Sequence, residues 1–575
     1  MQKICQSEIN NPAALYIVEA PMGEGKTECA FYLANAMCHA HGQQGIYFAL
    51  PTMATSNQMY TRFNALLEEN ELSTSRLLHA MAWLVDLSSP TIQTEDSSQA
   101  SAWLAPLRRG LLTNYAVGTV DQAMMAVLKS KYTVLRLIGL SSKVLIIDEI
   151  HAYDTYMSQI LDRLLSWCRA LKIPVILLSA TLPSARKENL LRAYGASASI
   201  ENHYPLLTAA HWSGAVTQQT CSTYMQPTFH FSLLSEEQLL RTVLHYWEKQ
   251  GGCLCILTNT VGKAQALFTD LQAQGVPREE LLLFHARFTA QTRQRLEQQC
   301  ISLFGKDGKR PERFIVIGTQ VLEQSLDVDF DAMFTEIAPI DLLLQRAGRV
   351  FRHQKTKRPT AYTQPTIFVI YPEQKDFGIS AKIYEPLLLH RTKAFLENNP
   401  QITVPSDMRN AIETIYLETL TAEELSLGME MQFKKQMSQN MAEGVILTPP
   451  NPNYFFATET AAPFSLFTQE DQDSTLVSIA KTRQSDDSVS AAFLSPTLFA
   501  LACSETPTKE ITQQVLLHSV SLRRFPIEPI LSQATQGQGA LKHCYLFCLV
   551  EGEVLDAPQC TVRNDIDLGI VIERK

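Results

Sequence analysis

The sequence predicts an α/β protein of two tandem parallel-sheet lobes, followed by a helical region and a small C-terminal domain. Three observations carry that expectation. Val144-Leu145-Ile146-Ile147 is an apolar run without polar alternation that ends at Asp148 and Glu149. Such a run is a strand buried on both faces, and open sheets bind ligands at the carboxyl ends of their strands. Ala20-Pro21-Met22-Gly23-Glu24-Gly25-Lys26-Thr27 stands between the apolar stretch 15–18 and an alanine-rich helical pattern. Further buried-strand runs at 253–257, 281–284, 313–317 and 332–335 repeat the α/β rhythm without a second glycine loop.

Each element follows from local pattern. After the stretch 15–18, the helix that starts at Lys26 carries Ala30, Leu33, Ala34 and Met37 on one face. Residues 45–50 form a second buried strand ending at Pro51 and Thr52, and helical spacing returns over 56–69. Residues 70–112 break the rhythm and read as an insertion. Regular α/β character resumes at 115–122, followed by the central strand at 143–148, and residues 174–178 run into Ser179-Ala180-Thr181, closing a first lobe at about residue 205. Residues 206–232 read as a connector. A helix near 236–249 opens the second lobe, to which 366–371 returns after a basic break at 355–365. The expected domains are therefore 1–205, 206–375, a helical region 376–475, and 476–575, within which short strands such as 542–550 and 569–572 alternate with turns.

Composition narrows the class. At 575 residues the chain is too long for one core, and with 46% apolar and 19% charged residues it has an ordinary globular composition. No apolar run reaches the length of a membrane span and the first twenty residues lack a signal-peptide pattern, so a cytoplasmic protein is expected. The twelve cysteines are scattered without a CxxC pair, which argues for buried thiols over zinc. A net charge of −9 argues against a protein that coats nucleic acid over its whole surface. Residues 287–358 nevertheless carry thirteen Lys/Arg against nine Asp/Glu, room for a local track.

The chemistry sits at the strand ends. Gly23 and Gly25 let the backbone aim N–H groups at phosphate oxygens, with Glu24 between them, and a helix N-terminus adds its dipole. Lys26 reaches the β and γ phosphates, while Thr27 and Asp148 are the candidate Mg2+ ligands, so ATP and Mg2+ are the expected cofactors. Glu149 polarises the attacking water. His151 is read as a sensor that passes nucleotide state to Ser179 and Thr181. In the second lobe, Gln345, Arg349 and Arg352 belong to a run with arginines spaced by three, suited to stabilising transition-state charge on a phosphate bound by the other lobe. Thr52, Thr55, Gly118, Thr119, Arg287 and Thr319 offer small hydroxyls, backbone amides and a cation that can hold nucleic-acid phosphates without reading bases.

These stretches, in their order, resemble a superfamily 2 helicase with two RecA-like lobes: GEGKT at 23–27, DEIH at 148–151, SAT at 179–181, GTQVLEQSLDVD at 318–329 and QRAGRVFRH at 345–353. GTVDQ at 118–122, LIIDEIHAYDTYM at 145–157 and FHARFTAQTR at 284–293 narrow the resemblance to the helicase of type I CRISPR interference. It implies 3′–5′ ATP-driven movement on single-stranded DNA, DNA unwinding, and recruitment by a Cascade-type surveillance complex. The family often carries a His/Asp metal nuclease before the helicase. This sequence begins almost at its first helicase strand and contains no His-Asp dipeptide, so cleavage is expected from a separate nuclease subunit, with a degenerate locus as the other explanation. Two other readings stay open: a related motor acting on duplex DNA or RNA, and a nucleotide-gated DNA-binding scaffold.

Overall fold

A computed structural model describes residues 8, 11–21, 23–69, 75–78, 110–130, 132–201, 203–221, 226–323, 326–372, 377–450, 482–483, 488–504, 507–549 and 552–575. Most of the 70–112 insertion and of the stretch 445–475 lies outside the described residues. The chain forms two compact units, each discontinuous in sequence: residues 1–227 with 403–484, and 228–402 with 485–575.

The first unit holds an eight-stranded sheet of β1 (Leu15–Glu19), β2 (Gly45–Leu50), β3 (Arg76–Leu78), β4 (Tyr115–Thr119), β5 (Lys143–Ile147), β6 (Val175–Ser179), β7 (Leu206–Ala210) and β8 (Val216–Thr220), in the order β3-β4-β2-β5-β6-β1-β7-β8. The first six run parallel; β7 and β8 are antiparallel additions. The unbroken apolar runs have a direct cause. On β5, Leu145 and Ile147 feed one hydrophobic core while Val144 and Ile146 feed another. Leu15 and Ile17 of β1 divide in the same way from Tyr16 and Val18. A strand sandwiched between two helical layers has no solvent face, so period-two polarity disappears.

The reading of 206–232 as a connector is corrected here. Residues 206–210 and 216–220 complete the first sheet, and 228–235 already belong to the second. The wholly buried Leu206–Ala210 is too short to announce itself, and Val216–Thr220 is a polar edge strand with no buried residue. Residues 403–450 also pack into this unit. Ala442, Ile446 and Leu447 enter the core containing Leu161 and Leu164 of the helix Thr155–Ala170, and the N–H of Leu447 donates to Val127 O at 2.8 Å. Helical pattern alone does not say which lobe an apolar face will cover.

The second unit carries β9 (Thr228–Ser235), β10 (Gly252–Leu257), β11 (Leu281–Phe284), β12 (Arg313–Gly318), β13 (Ala332–Glu336), β14 (Thr366–Tyr371) and β15 (Gln401–Thr403), ordered β11-β12-β10-β13-β14-β9-β15. Its C-terminal part adds a four-stranded sheet of β16 (Ser488–Leu494), β17 (Ser519–Arg523), β18 (Thr535–Gln536) and β19 (Cys544–Cys548). A three-stranded meander of β20 (Val554–Ala557), β21 (Cys560–Asp565) and β22 (Gly569–Arg574) follows. The meander is tied to the second lobe: Ile570 N donates to Arg287 O at 2.9 Å, and Gln265 Nε2 to Leu568 O at 2.7 Å. Among the described residues no helix is long and apolar enough to cross a membrane.

Candidate ATP-hydrolysis site and strand-gripping residues

The loop after β1 turns through two left-handed glycines, Gly23 at φ +83° and Gly25 at φ +77°, a conformation side chains other than glycine rarely adopt. Gly25 is the N-cap of the helix Lys26–His41 and supplies no side-chain acceptor to its first turn. Those N–H groups suit a phosphate. Lys26 Nζ donates to the carbonyls of Ala20 at 2.7 Å and Pro21 at 3.2 Å, bracing the loop from within. Glu24 and Thr27 are partly exposed at its rim. Beneath the loop lies a buried charge cluster that motif reading did not reach: Glu19 pairs with Lys187 and, at 3.1 Å, with Arg409. Its one local signal is a carboxylate inside a buried strand, directly before a glycine loop.

Asp148 and Glu149 leave the end of β5 where the sequence placed them. Asp148 N donates to Ala49 O at 2.9 Å, and Asp148 Oδ1 accepts the N–H of Glu149 at 2.9 Å. Burial, and then the charge of Glu149, push the Asp148 carboxyl up to about 7 against the opposing pull of Lys26. Glu149 adopts φ +51°, a costly backbone for a non-glycine residue and one that cants it away from the strand line. Its Oε2 lies 3.2 Å from His151 Nε2, and His151 Nδ1 lies 3.1 Å from Ser179 Oγ, which donates to Thr181 O at 2.7 Å. Nδ1 also accepts the Ala180 N–H at 3.4 Å. With Nε2–H directed at Glu149, the imidazole joins the carboxylate to the end of β6 and so stands in contact with Ser179 and, through it, with the main-chain carbonyl of Thr181.

The arginine run of the second unit is placed differently from a single helical face. The helix Ile340–Ala347 ends before Arg349, and Phe351 reverses the chain at φ +54°. Arg346 is fully buried, bonded to Glu323 at 2.7 Å and Thr335 Oγ1 at 2.7 Å, and acts as scaffold. Arg349, 2% exposed, donates to the carbonyls of Glu323 at 2.8 Å and of Leu326. Arg352 reaches the surface, its Nε 2.7 Å from Asp327. Gln345 is half-buried on the helix.

The proposed grips divide into surface and interior. Thr52 and Thr55 bond each other, hydroxyl to hydroxyl at 2.9 Å, at the start of the helix Met53–Glu69. Gly118 is buried, and a Cβ there would fall 2.3 Å from Leu78 O and 2.8 Å from Tyr47 Oη, so this glycine serves the β3–β4 approach. Thr119 and Thr319 are 7% and 3% exposed. Arg287 is half-buried; burial and then the neighbouring Arg523 lower its proton affinity. Among the described residues no three His, Cys, Asp or Glu gather into a metal site of their own.

Residues 2–189 match the DEAD/DEAH box helicase family, and residues 250–355 match the C-terminal part of the CRISPR-associated nuclease/helicase Cas3. A solved CRISPR-associated protein is 31% identical with a TM-score of 0.83, over 100% of this chain and 69% of its own. This chain belongs to the Cas3-type helicases. The Cas3 of T. fusca crystallised with AMPPNP is 28% identical, with a TM-score of 0.83 over 99% of this chain and 70% of its own. A chain in a CRISPR RNA-guided surveillance complex before nicking gives 27% and 0.75 over 99% and 69%. The curated Cas3 nuclease/helicase of Streptococcus thermophilus is 36% identical over 442 residues, 72% of this chain and 47% of that protein. The chain thus spans about half the length of the curated Cas3 relatives it matches.

Proposed function

We propose that this chain is an ATP-dependent 3′–5′ single-stranded DNA translocase and DNA helicase of type I CRISPR interference. It would be engaged by a Cascade-type surveillance complex, with a separate HD-type nuclease making the cuts. One observation carries the reading: a carboxylate pair ends the central buried strand beside a lysine-bearing glycine loop, in a chain similar in fold to T. fusca Cas3 with AMPPNP at a TM-score of 0.83.

The residues fit a nucleotide and a divalent ion. Asp148 is a hard oxygen donor held at a cost that a cation would relieve, and the Thr27 hydroxyl stands on the first turn after the loop. Gly23, Glu24, Gly25 and Lys26 would hold the phosphates; Thr27 and Asp148 would hold Mg2+, which when bound neutralises phosphate charge. Glu149 orients the attacking water and takes its proton, and His151 holds that carboxylate in place. Gln345, Arg349 and Arg352 are assigned the transition-state charge, with Arg352 the most accessible of the arginines. Thr52, Thr55, Thr119, Arg287 and Thr319 are assigned to the DNA backbone; Gly118 supports them through packing.

The test is steady-state ATP hydrolysis with no nucleic acid, single-stranded DNA, duplex DNA or RNA of equal length. Strong stimulation by single-stranded DNA, lost by two or more orders of magnitude in Asp148→Asn, is expected. Preference for RNA or duplex would redirect the motor to another substrate. No stimulation by any of them in folded protein would sink the motor reading.

A further inference from the structure

At the carboxyl ends of β2 and β4 the first unit holds an arginine from far along the chain. The two strands are neighbours, with Leu50 opposite Thr119, so Pro51 and Asp121 emerge side by side. Arg483 forks onto Asp121, Nε to Oδ1 at 3.0 Å and Nη2 to Oδ2 at 3.0 Å, and Nη2 also donates to Pro51 O at 2.5 Å. Thr482 Oγ1 completes the seat with a 2.6 Å bond to Asp121 Oδ1. A bidentate fork fixes the plane of the guanidinium as well as its position. It engages the Nε–Nη2 edge, so the Nη1 edge faces away from the carboxylate, and the side chain remains 41% exposed.

The place matters as much as the pairing. Pro51 O is one residue from Thr52, and Asp121 is two residues beyond Thr119. The Thr52 and Thr55 hydroxyls are partly engaged with each other. Neutral hydroxyls position a phosphate but attract it weakly; an oriented cation beside them adds charge without base preference. Tyr153, which donates to Asp148 O at 3.1 Å, lies within electrostatic reach of both Asp121 and Arg483.

We propose that Arg483, aimed by Asp121, is a phosphodiester ligand for single-stranded DNA on the first lobe. This rests on the functional reading above. The experiment is fluorescence anisotropy of a labelled oligo-dT on the full chain across a salt series, with thermal unfolding as the check on folding. Arg483→Ala should bind several-fold more weakly and lower the slope of log K against log salt by about 0.7, the value for one phosphate contact on a single strand. Arg483→Gln keeps a donor for Asp121 and Pro51 but has no charge, and should show the same slope. Asp121→Asn keeps the cation but loosens its aim, and should weaken binding with the slope unchanged. Unchanged affinity and slope in folded Arg483→Gln would reduce Arg483 to a staple and overturn the proposal, as would tighter binding, which would make it a plug. If the wild-type chain binds no single-stranded DNA, the functional reading itself falls, and this inference with it.

Discussion

The two lobes share an architecture but differ in how the charged residues of their motif runs are held. At the end of β5 in the first lobe, Asp148 is held at a cost, its carboxyl pushed up to about 7 by burial and by Glu149. In the second lobe, more deeply buried charges are absorbed into ion pairs: Arg346 with Glu323 at 2.5 Å, Arg310 with Asp331 at 2.8 Å, Arg358 with Asp329 at 2.6 Å and Asp331 at 2.7 Å. A buried group that is not neutralised stores free energy for a ligand to release, whereas a matched pair only specifies the fold. Motif runs look alike in both lobes; pairing separates reactive residues from scaffold.

The sharpest way to break this comparison is to remove one half of a scaffold pair. Arg346→Met should cost about 3–5 kcal/mol, because Glu323 is left charged in a site where it is 4% exposed. Denaturant unfolding followed in the second lobe would show it. A change below about 1 kcal/mol would mean that the pair does not hold this lobe together. Acid titration sharpens the same contrast. His285 is fully buried and stacked on Phe288 at 4.5 Å, and burial, then Arg287, lower it to about 3 from 6.5. The unfolded chain therefore binds the extra proton first, so stability is complete above about pH 6.5 and falls as pH drops towards 3. The limiting slope is about 1.4 kcal/mol per pH unit. His285→Phe should flatten the unfolding free energy between pH 7 and 4; an equally steep profile would place the sensitivity elsewhere.

The smallest expected stability effect is at the exposed end of the arginine run. Arg352, its side chain 21% exposed, pairs with Asp327 at 58%, and a pair with one side in solvent contributes about 1 kcal/mol. Arg352→Ala should leave the unfolding midpoint nearly unchanged while lowering DNA-stimulated ATP turnover by two orders of magnitude or more. A large loss of stability with normal turnover would move Arg352 into the scaffold beside Arg346.

Much of the site was legible in the sequence because its signals are local. A strand buried on both faces loses polar alternation within five residues, a phosphate loop needs left-handed glycines at set offsets, and an acid that follows such a strand must stand at its carboxyl end, where the sheet meets solvent. The placement of Asp148, Glu149 and Lys26 follows from those rules, whereas the contact of His151 with Ser179 needed β5 and β6 to be neighbours. Tertiary structure decided what depends on distant partners. Residues 206–220 became sheet because a short apolar strand found the free edge of β1. Residues 403–450 joined the first unit because Ala442, Ile446 and Leu447 fill its core. Arg346 became scaffold because Glu323 arrived from twenty-three residues earlier. Arg483 reached the β2 and β4 strand ends across 362 residues. Periodicity reports which face of an element is apolar, and motif spacing reports which groups share a turn. Whether a charge is spent in a pair or kept available is set by which carboxylate the fold brings within three ångströms or so, and that is a property of the folded chain.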